Sequence, residues 1–238
     1  LRPNEPMPRV LVASERSDPV WYAKKVKELV ASGKYDALYL ITKHDGLPIR
    51  ELLQLPIPKI IHFSITTLGG SEWEPGVMRW HDLIKRIEDF IKQGLDHNDI
   101  TIRIDPIIPE ITDMAQVGQL LNRVAKIGIK RIRFSVMDGY SGTIEQKIRS
   151  LYPQDILERN YAKKHGRLEA KPEVVNDIAS QFVKLAQAAG IPEVGCCAEN
   201  VNVAGVRKEG CLPVEAVSKL VGHDVDSSKS KQRALCNC

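Results

Sequence analysis

The chain has 238 residues with 43% hydrophobic and 27% charged content, enough to bury a sizeable core in one large or two small domains. A net charge of +4 with no Lys/Arg run interleaved with aromatics gives no electrostatic case for a dedicated nucleic-acid binder. No apolar run reaches the length of a membrane span and no signal peptide is evident; five cysteines clustered in the last fifth of the chain point to a reducing compartment, so a cytoplasmic protein is expected. The first residue is Leu1 rather than methionine, which suggests a chain clipped at its start.

Pro8 to Ala13 reads as a short buried strand, followed by the polar turn Ser14 to Pro19. Trp21 to Ser32 has helical spacing, with Gly33 as its cap. Tyr35 to Thr42 is a second strand, Leu47 to Leu55 a short helix opened by Pro48, and Lys59 to Thr67 a third strand. Val77 to Gln93 is the clearest amphipathic helix, with Trp80, Leu83, Ile84, Ile87 and Ile91 on one face.

The stretch Ile100 to Pro109 stands out. It alternates so that Ile100, Ile102 and Ile104 share one face of a strand while Thr101, Arg103 and Asp105 share the other, and Pro106 is expected to stop the ladder. Met114 to Ile127 is a helix closed by Gly128, and Lys130 to Met137 a fifth strand. The mostly charged segment 141–172 breaks the rhythm and reads as a partly helical excursion over one face. Glu173 to Ala189 is a long helix, Glu193 to Ala198 a sixth strand and Pro213 to Val221 a short helix; His223 to Arg233 has the composition of a solvated tail.

Strand followed by helix, about six times over, predicts an α/β fold with parallel strands and helical crossovers. No Gly-x-Gly-x-x-Gly follows the first strand, so the dinucleotide-binding fingerprint is missing. Polar residues close nearly every strand, which favours a partial (β/α) TIM-like barrel over an open doubly wound sheet. The expected organisation is a barrel domain over 1–222 carrying the excursion 141–172, then a cysteine-containing tail over 223–238.

Arg103 and Asp105 form either a structural ion pair at the sheet rim or a ligand clamp at the barrel mouth. As a clamp, Arg103 would grip a carboxylate or phosphate with its planar fork and Asp105 would take an amine. Glu199, on the same strand face as Cys197, would orient an amine or ribose hydroxyl or act as a general base. Lys43, Ser64, Thr66 and Ser135 lie at or near strand ends as lining for a cofactor, and Asp18 suits a helix N-terminus. The five cysteines all lie in the last fifth of the chain. Cys197, Cys211, Cys236 and Cys238 could converge on zinc or an iron–sulfur cluster, or be plain reduced thiols; Cys196, on the opposite strand face, belongs to the core. The histidines form no ligand set, and no nucleophile elbow or Walker loop exists.

Several short motifs occur in a recognisable order: Ala13 to Asp18, Ile41-Thr42-Lys43, Thr66-Thr67 with Glu74-Pro75, and Arg103-Ile104-Asp105-Pro106-Ile107. Then come Cys197-Ala198-Glu199, Cys211, and Gln232-Arg233 before Cys236-Asn237-Cys238. Together they resemble a bacterial family described as a domain of unknown function, whose members are similar to radical S-adenosylmethionine enzymes, with some likeness to spore photoproduct lyases. Members carry a Cys-x-x-x-Cys-x-x-Cys shortly after the Cys-x-Cys, holding a [4Fe-4S] cluster that cleaves S-adenosylmethionine to a 5′-deoxyadenosyl radical; the present sequence ends at Cys238, before such a motif.

The resemblance implies a second metal site at Cys197, Cys211, Cys236 and Cys238, and a barrel mouth formed by Arg103, Asp105, Lys43, Thr66 and Glu199. Iron–sulfur or zinc would occupy the thiols. S-adenosylmethionine would be the cofactor if the further motif exists, and the substrate a small molecule or modified nucleic acid. The alternative of a different class is a zinc-stabilised barrel that binds without redox chemistry. A zinc hydrolase fits less well, since hydrolytic zinc keeps an open position and His or carboxylate ligands.

Overall fold

A computed structural model describes residues 9–13, 18–137, 142–196 and 201–208. Seven strands form one sheet: β1 (Val10–Ala13), β2 (Ala37–Thr42), β3 (Lys59–Ile65), β4 (Ile100–Ile107), β5 (Arg131–Val136), β8 (Glu193–Cys196) and the two-residue β9 (Arg207–Lys208). Every pair in it is parallel, and spatial order follows chain order. A doubly wound sheet reverses its order at a switch point; this one never does. Right-handed crossovers then send successive helices to the same side, which is the winding of a partial (β/α) barrel.

Period-two alternation gives the sheet two unlike faces. On the helix side, buried apolar rows cross the strands: Leu40–Ile61–Ile100, Phe63–Ile102–Ile132–Val194 and Ile65–Ile104–Phe134–Cys196. The expectation for Cys196 holds, since it ends the third row at 1% exposure. These rows pack against α1 (Ala23–Ala31), α2 (Leu47–Leu53), α3 (Trp80–Lys92), α4 (Met114–Lys126) and α7 (Pro172–Ala188) as one core. In α3 the buried stripe is Trp80, Leu83, Ile84, Ile87 and Phe90, and Ile91 is only partly covered. Phe90 takes the inner place because it stacks on Phe63, ring centroids 6.1 Å apart. Between α4 and α7, a Cβ on Gly118 would come within 3.2 Å of Leu185, so glycine lets the helices approach.

One sequence expectation needs correction. Pro106 does not stop the ladder: β4 runs on to Ile107, with a register shift against β5 between Ile104 and Ile107 and a cis Asp105–Pro106 peptide. Proline cannot donate to the ladder, and an irregularity of this kind is where a strand accommodates it.

The excursion combines helices with a hairpin. It holds α5 (Gly142–Leu151), α6 (Gln154–Asn160) and an antiparallel hairpin, β6 (Tyr161–Lys164) with β7 (Arg167–Ala170). His165 and Gly166 turn the hairpin at φ 49° and 76°, the positive pair a two-residue turn requires. Trp73, in the loop after β3, meets Tyr152 edge-to-face, and the Tyr152 hydroxyl donates to the Pro109 carbonyl after β4. The excursion is thus tied to the carboxyl-end rim of the sheet.

The expected helix at Pro213 to Val221 and the tail beyond it lie outside the described residues. Among the described residues no helix is long and apolar enough to cross a membrane.

Candidate functional site

The face opposite the helices carries a smaller apolar cluster at its amino end, Tyr39 and Ile60 with Val10, Val12 and Ile41. Toward the carboxyl ends it turns polar. Register places His62 beside Thr101, then Ser64 beside Arg103 beside Arg133 one step further on. Asp105 follows Arg103 on the same face. The expected pairing is present, with Arg103 Nη2 3.1 Å from Asp105 Oδ2 and side chains only 11% and 25% exposed.

Lys43 is placed by Asp18. The Asp18 carboxylate accepts from the Lys43 backbone N–H at 2.7 Å, from the Thr42 hydroxyl at 2.9 Å, and from Val20 N–H at 3.1 Å. It therefore both caps the 3-10 turn Pro19–Trp21 and clamps the end of β2. Lys43 Nζ reaches Glu74 Oε1 at 2.7 Å.

Glu74 comes from the loop after β3, whose path is tightly fixed. A Cβ on Gly69 would sit 2.3 Å from the Met78 carbonyl oxygen, Gly70 N–H donates to the Glu74 carbonyl at 3.0 Å, and Thr66 Oγ1 accepts from Leu68 N–H at 3.0 Å. The second carboxylate oxygen, Oε2, is shielded from solvent with no hydrogen-bond partner among the described residues. Such an atom is costly to bury unpaired.

His62 is buried and takes a 3.0 Å hydrogen bond with the Tyr39 hydroxyl through Nδ1. Burial pushes its pKa well below the usual histidine value, and the positive charges of Arg133, Arg103 and Arg131 push it the same way. His62 is therefore neutral at pH 7 and marks a face with a positive field. Thr101 Oγ1, in the next strand, is buried without a hydrogen-bond partner among the described residues.

Of the residues expected from sequence, Arg103, Asp105, Lys43, Ser64 and Thr66 gather at the carboxyl end of this face. Ser64 and Thr66 are 3% and 1% exposed. Ser135 Oγ lies 3.4 Å from the Val136 carbonyl and lines β5. Glu199, Cys197, Cys211, Cys236 and Cys238 lie outside the described residues. Among the described residues no group of three or more His, Cys, Asp or Glu comes together to hold a metal. The donors on the described face are guanidinium, ammonium, carboxylate and hydroxyl. Those suit an organic ion; a soft metal would need the thiols.

Sequence reasoning missed Arg131, Arg133, Tyr39 and Glu74. The alternation Arg131-Ile132-Arg133-Phe134 carried the same signal as Arg103 and Asp105, and Glu74 was visible only as part of a motif.

A second concavity of about 550 Å³ lies outside this face, where the end of β4 meets α6 and α7; Ile108, Glu110, Asn160 and Asp177 are among its walls. Glu110 is held there by Arg159 at 2.9 and 2.6 Å and by Asn160 at 2.6 Å, bonds that lower its pKa to about 2.

The chain is similar in fold to the carboxyl transferase domain of Rhizobium etli pyruvate carboxylase, at 15% identity and a TM-score of 0.40, covering 90% of this chain and 31% of that one. The same domain with pyruvate and biocytin gives 14% and 0.38 over 30% of its length; the T882A enzyme with acetyl coenzyme A gives 14% and 0.38 over 18%. The chain thus spans about a third or less of these structures, and likeness at this level does not extend to their chemistry. No curated protein sequence matches the chain. The chain belongs to the family described as Domain of unknown function (DUF1848), whose model matches residues 15–238.

Proposed function

We propose that this family member is a radical S-adenosylmethionine-type enzyme, with the amino-acid end of the cofactor held on the concave face of the barrel and an additional metal site at Cys197, Cys211, Cys236 and Cys238. The observation that carries the reading is the Arg103–Asp105 pair at the carboxyl end of β4. An α-amino acid presents a carboxylate and an ammonium a few ångströms apart, and a guanidinium fork beside a carboxylate is their complement. In exchanging its partner Asp105 for the ligand carboxylate, Arg103 stays paired, and so does Asp105 on receiving the ammonium.

Other residues of the chain supply orientation. Glu74 Oε2 accepts a hydrogen bond from a ribose hydroxyl, with Lys43 fixing its carboxylate. Ser64, Thr66 and Ser135 line the mouth, and Glu199 serves as general base. An iron–sulfur cluster, when bound to thiolates, supplies the one-electron reduction that starts the reaction. Clustered thiols suit a reducing, cytoplasmic setting.

The test is anaerobic purification of the natural full-length protein, with metal and sulfide analysis, an absorbance spectrum and an assay of 5′-deoxyadenosine formation. Iron and sulfide with broad absorbance at about 400 nm, as expected for iron–sulfur clusters, and 5′-deoxyadenosine on reduction support the reading. Zinc alone, with no chromophore after reconstitution, would leave the alternative of a zinc-stabilised binding barrel.

A further inference from the structure

The row that holds Arg103 continues across the concave face. Register pairs Ser64 with Arg103, Arg103 with Arg133, Arg133 with Gly195, and Gly195 with Arg207. Members of one row in a parallel sheet project to the same side, with neighbouring strands ~4.8 Å apart. Three guanidiniums therefore issue from four adjacent strands, and the fourth position of that span is a glycine.

That glycine is where Arg133 lies. A Cβ at Gly195 would stand 3.3 Å from Arg133 Cγ and 3.7 Å from Nε. The stem of Arg133 thus packs against the bare backbone of β8 at Gly195, and β8 is the strand between β5 and β9. Arg133 is 4% exposed, and a guanidinium cannot shed its charge on burial, so its surroundings must be built to accept it. A guanidinium presents five N–H donors in a planar fork and can serve more than one acceptor at once.

One step toward the amino end, on the same face, the buried hydroxyl of Thr101 has no hydrogen-bond partner among the described residues. The nearby His62 is neutral and adds no competing charge.

We propose that the row Arg103, Arg133 and Arg207 binds a phosphate group of the substrate beside the cofactor end at Arg103 and Asp105, an assignment of substrate class that rests on the reading above. Planar forks matched to oxyanions are the reason for arginine here rather than lysine. Burial of Arg133 and Ser64 fits a phosphate entering the barrel mouth rather than a duplex laid across a surface. The same chemistry is presented by a small phosphate monoester and by the phosphodiester of a single strand.

Calorimetric titration of the anaerobically purified full-length protein with pyrophosphate, thymidine 5′-monophosphate and an oligothymidylate without terminal phosphate tests this. The two probes with a terminal phosphate binding without the oligomer identifies a small substrate, and the reverse a nucleic acid. Arg207→Gln, at an exposed position, is expected to weaken binding about tenfold, one charge-assisted pair's worth, and Gly195→Ala, which makes the Arg133 stem shift by a few tenths of an ångström, to weaken it by a smaller factor. Lys163→Gln, on the β6–β7 hairpin outside the arginine row, leaves it unchanged.

No binding of any probe, or binding that neither Arg207→Gln nor Gly195→Ala alters, overturns the assignment. 5′-Deoxyadenosine formation is read in parallel: cleavage retained with phosphate binding absent sinks this inference alone. Phosphate binding retained, sensitive to both substitutions, with no cleavage sinks the cofactor reading and leaves the phosphate site standing.

Discussion

The two faces of the one sheet use the same strands and the same period of two, yet their compositions are opposite. Facing the helices, Phe63, Ile102 and Ile132 form an unbroken apolar row. Facing inward, the next row holds Ser64, Arg103 and Arg133. Burial of apolar area drives the first and tolerates ordinary repacking. The second buries charge and hydroxyls at a cost that packing alone does not return. Stability is thus concentrated on one face and specificity on the other, as expected where a barrel core carries a site at its carboxyl ends.

The contrast can be broken most severely on the helix face. Phe134→Ala, at 0% exposure and stacked on Phe182 with centroids 4.4 Å apart, should cost about 3–5 kcal/mol in denaturant unfolding. A loss below about 1 kcal/mol would mean that this row does not carry the core. Gly69→Ala drives a Cβ into the Met78 carbonyl and should destabilise by about 2 kcal/mol, while loosening the loop that presents Glu74 to Lys43. Unfolding midpoints with ligand titrations would show both effects, and an unaltered variant would refute the close crossing of that loop.

The inward face should announce itself through pH. His62 is neutral when folded and charges when unfolded, so the unfolded state binds the extra proton. Its stabilising contribution is complete above the unfolded value of about 6.5 and is lost as pH falls toward the lower folded value, with a limiting slope of about 1.4 kcal/mol per pH unit. His62→Gln should flatten the stability profile between about pH 6.5 and 5; an unchanged slope would place the proton linkage elsewhere. The smallest expected effect is that of Thr101→Val. Replacing a buried hydroxyl that has no partner among the described residues by a methyl should be neutral or stabilising by up to about 1 kcal/mol. A clear destabilisation would reveal a hydrogen bond at that hydroxyl.

Much of this architecture was readable locally. Alternation at Ile100 to Asp105 separated the two faces of β4, and the spacing of Trp80, Leu83, Ile84 and Ile87 announced the buried side of α3. What escaped depended on relations between distant segments. Nothing near Arg133 says that register sets it beside Arg103, and nothing near Lys43 says that Glu74, 31 residues on, will reach it. Pro106 misled because a breaker in isolation can be absorbed at a ladder irregularity. The His165-Gly166 turn was a legible hairpin signal hidden in a charged stretch. Glu199, Cys197, Cys211, Cys236 and Cys238 lie outside the described residues.

The most direct measurement is calorimetric titration of S-adenosylmethionine into the anaerobic full-length protein, alongside Arg103→Ala and Asp105→Ala. Binding by the unaltered protein that falls at least about tenfold in each variant is the predicted result, since each loses one charge-assisted contact to the amino-acid end. Binding of equal strength in all three, or none in the unaltered protein, would contradict the placement of the cofactor at the carboxyl end of β4.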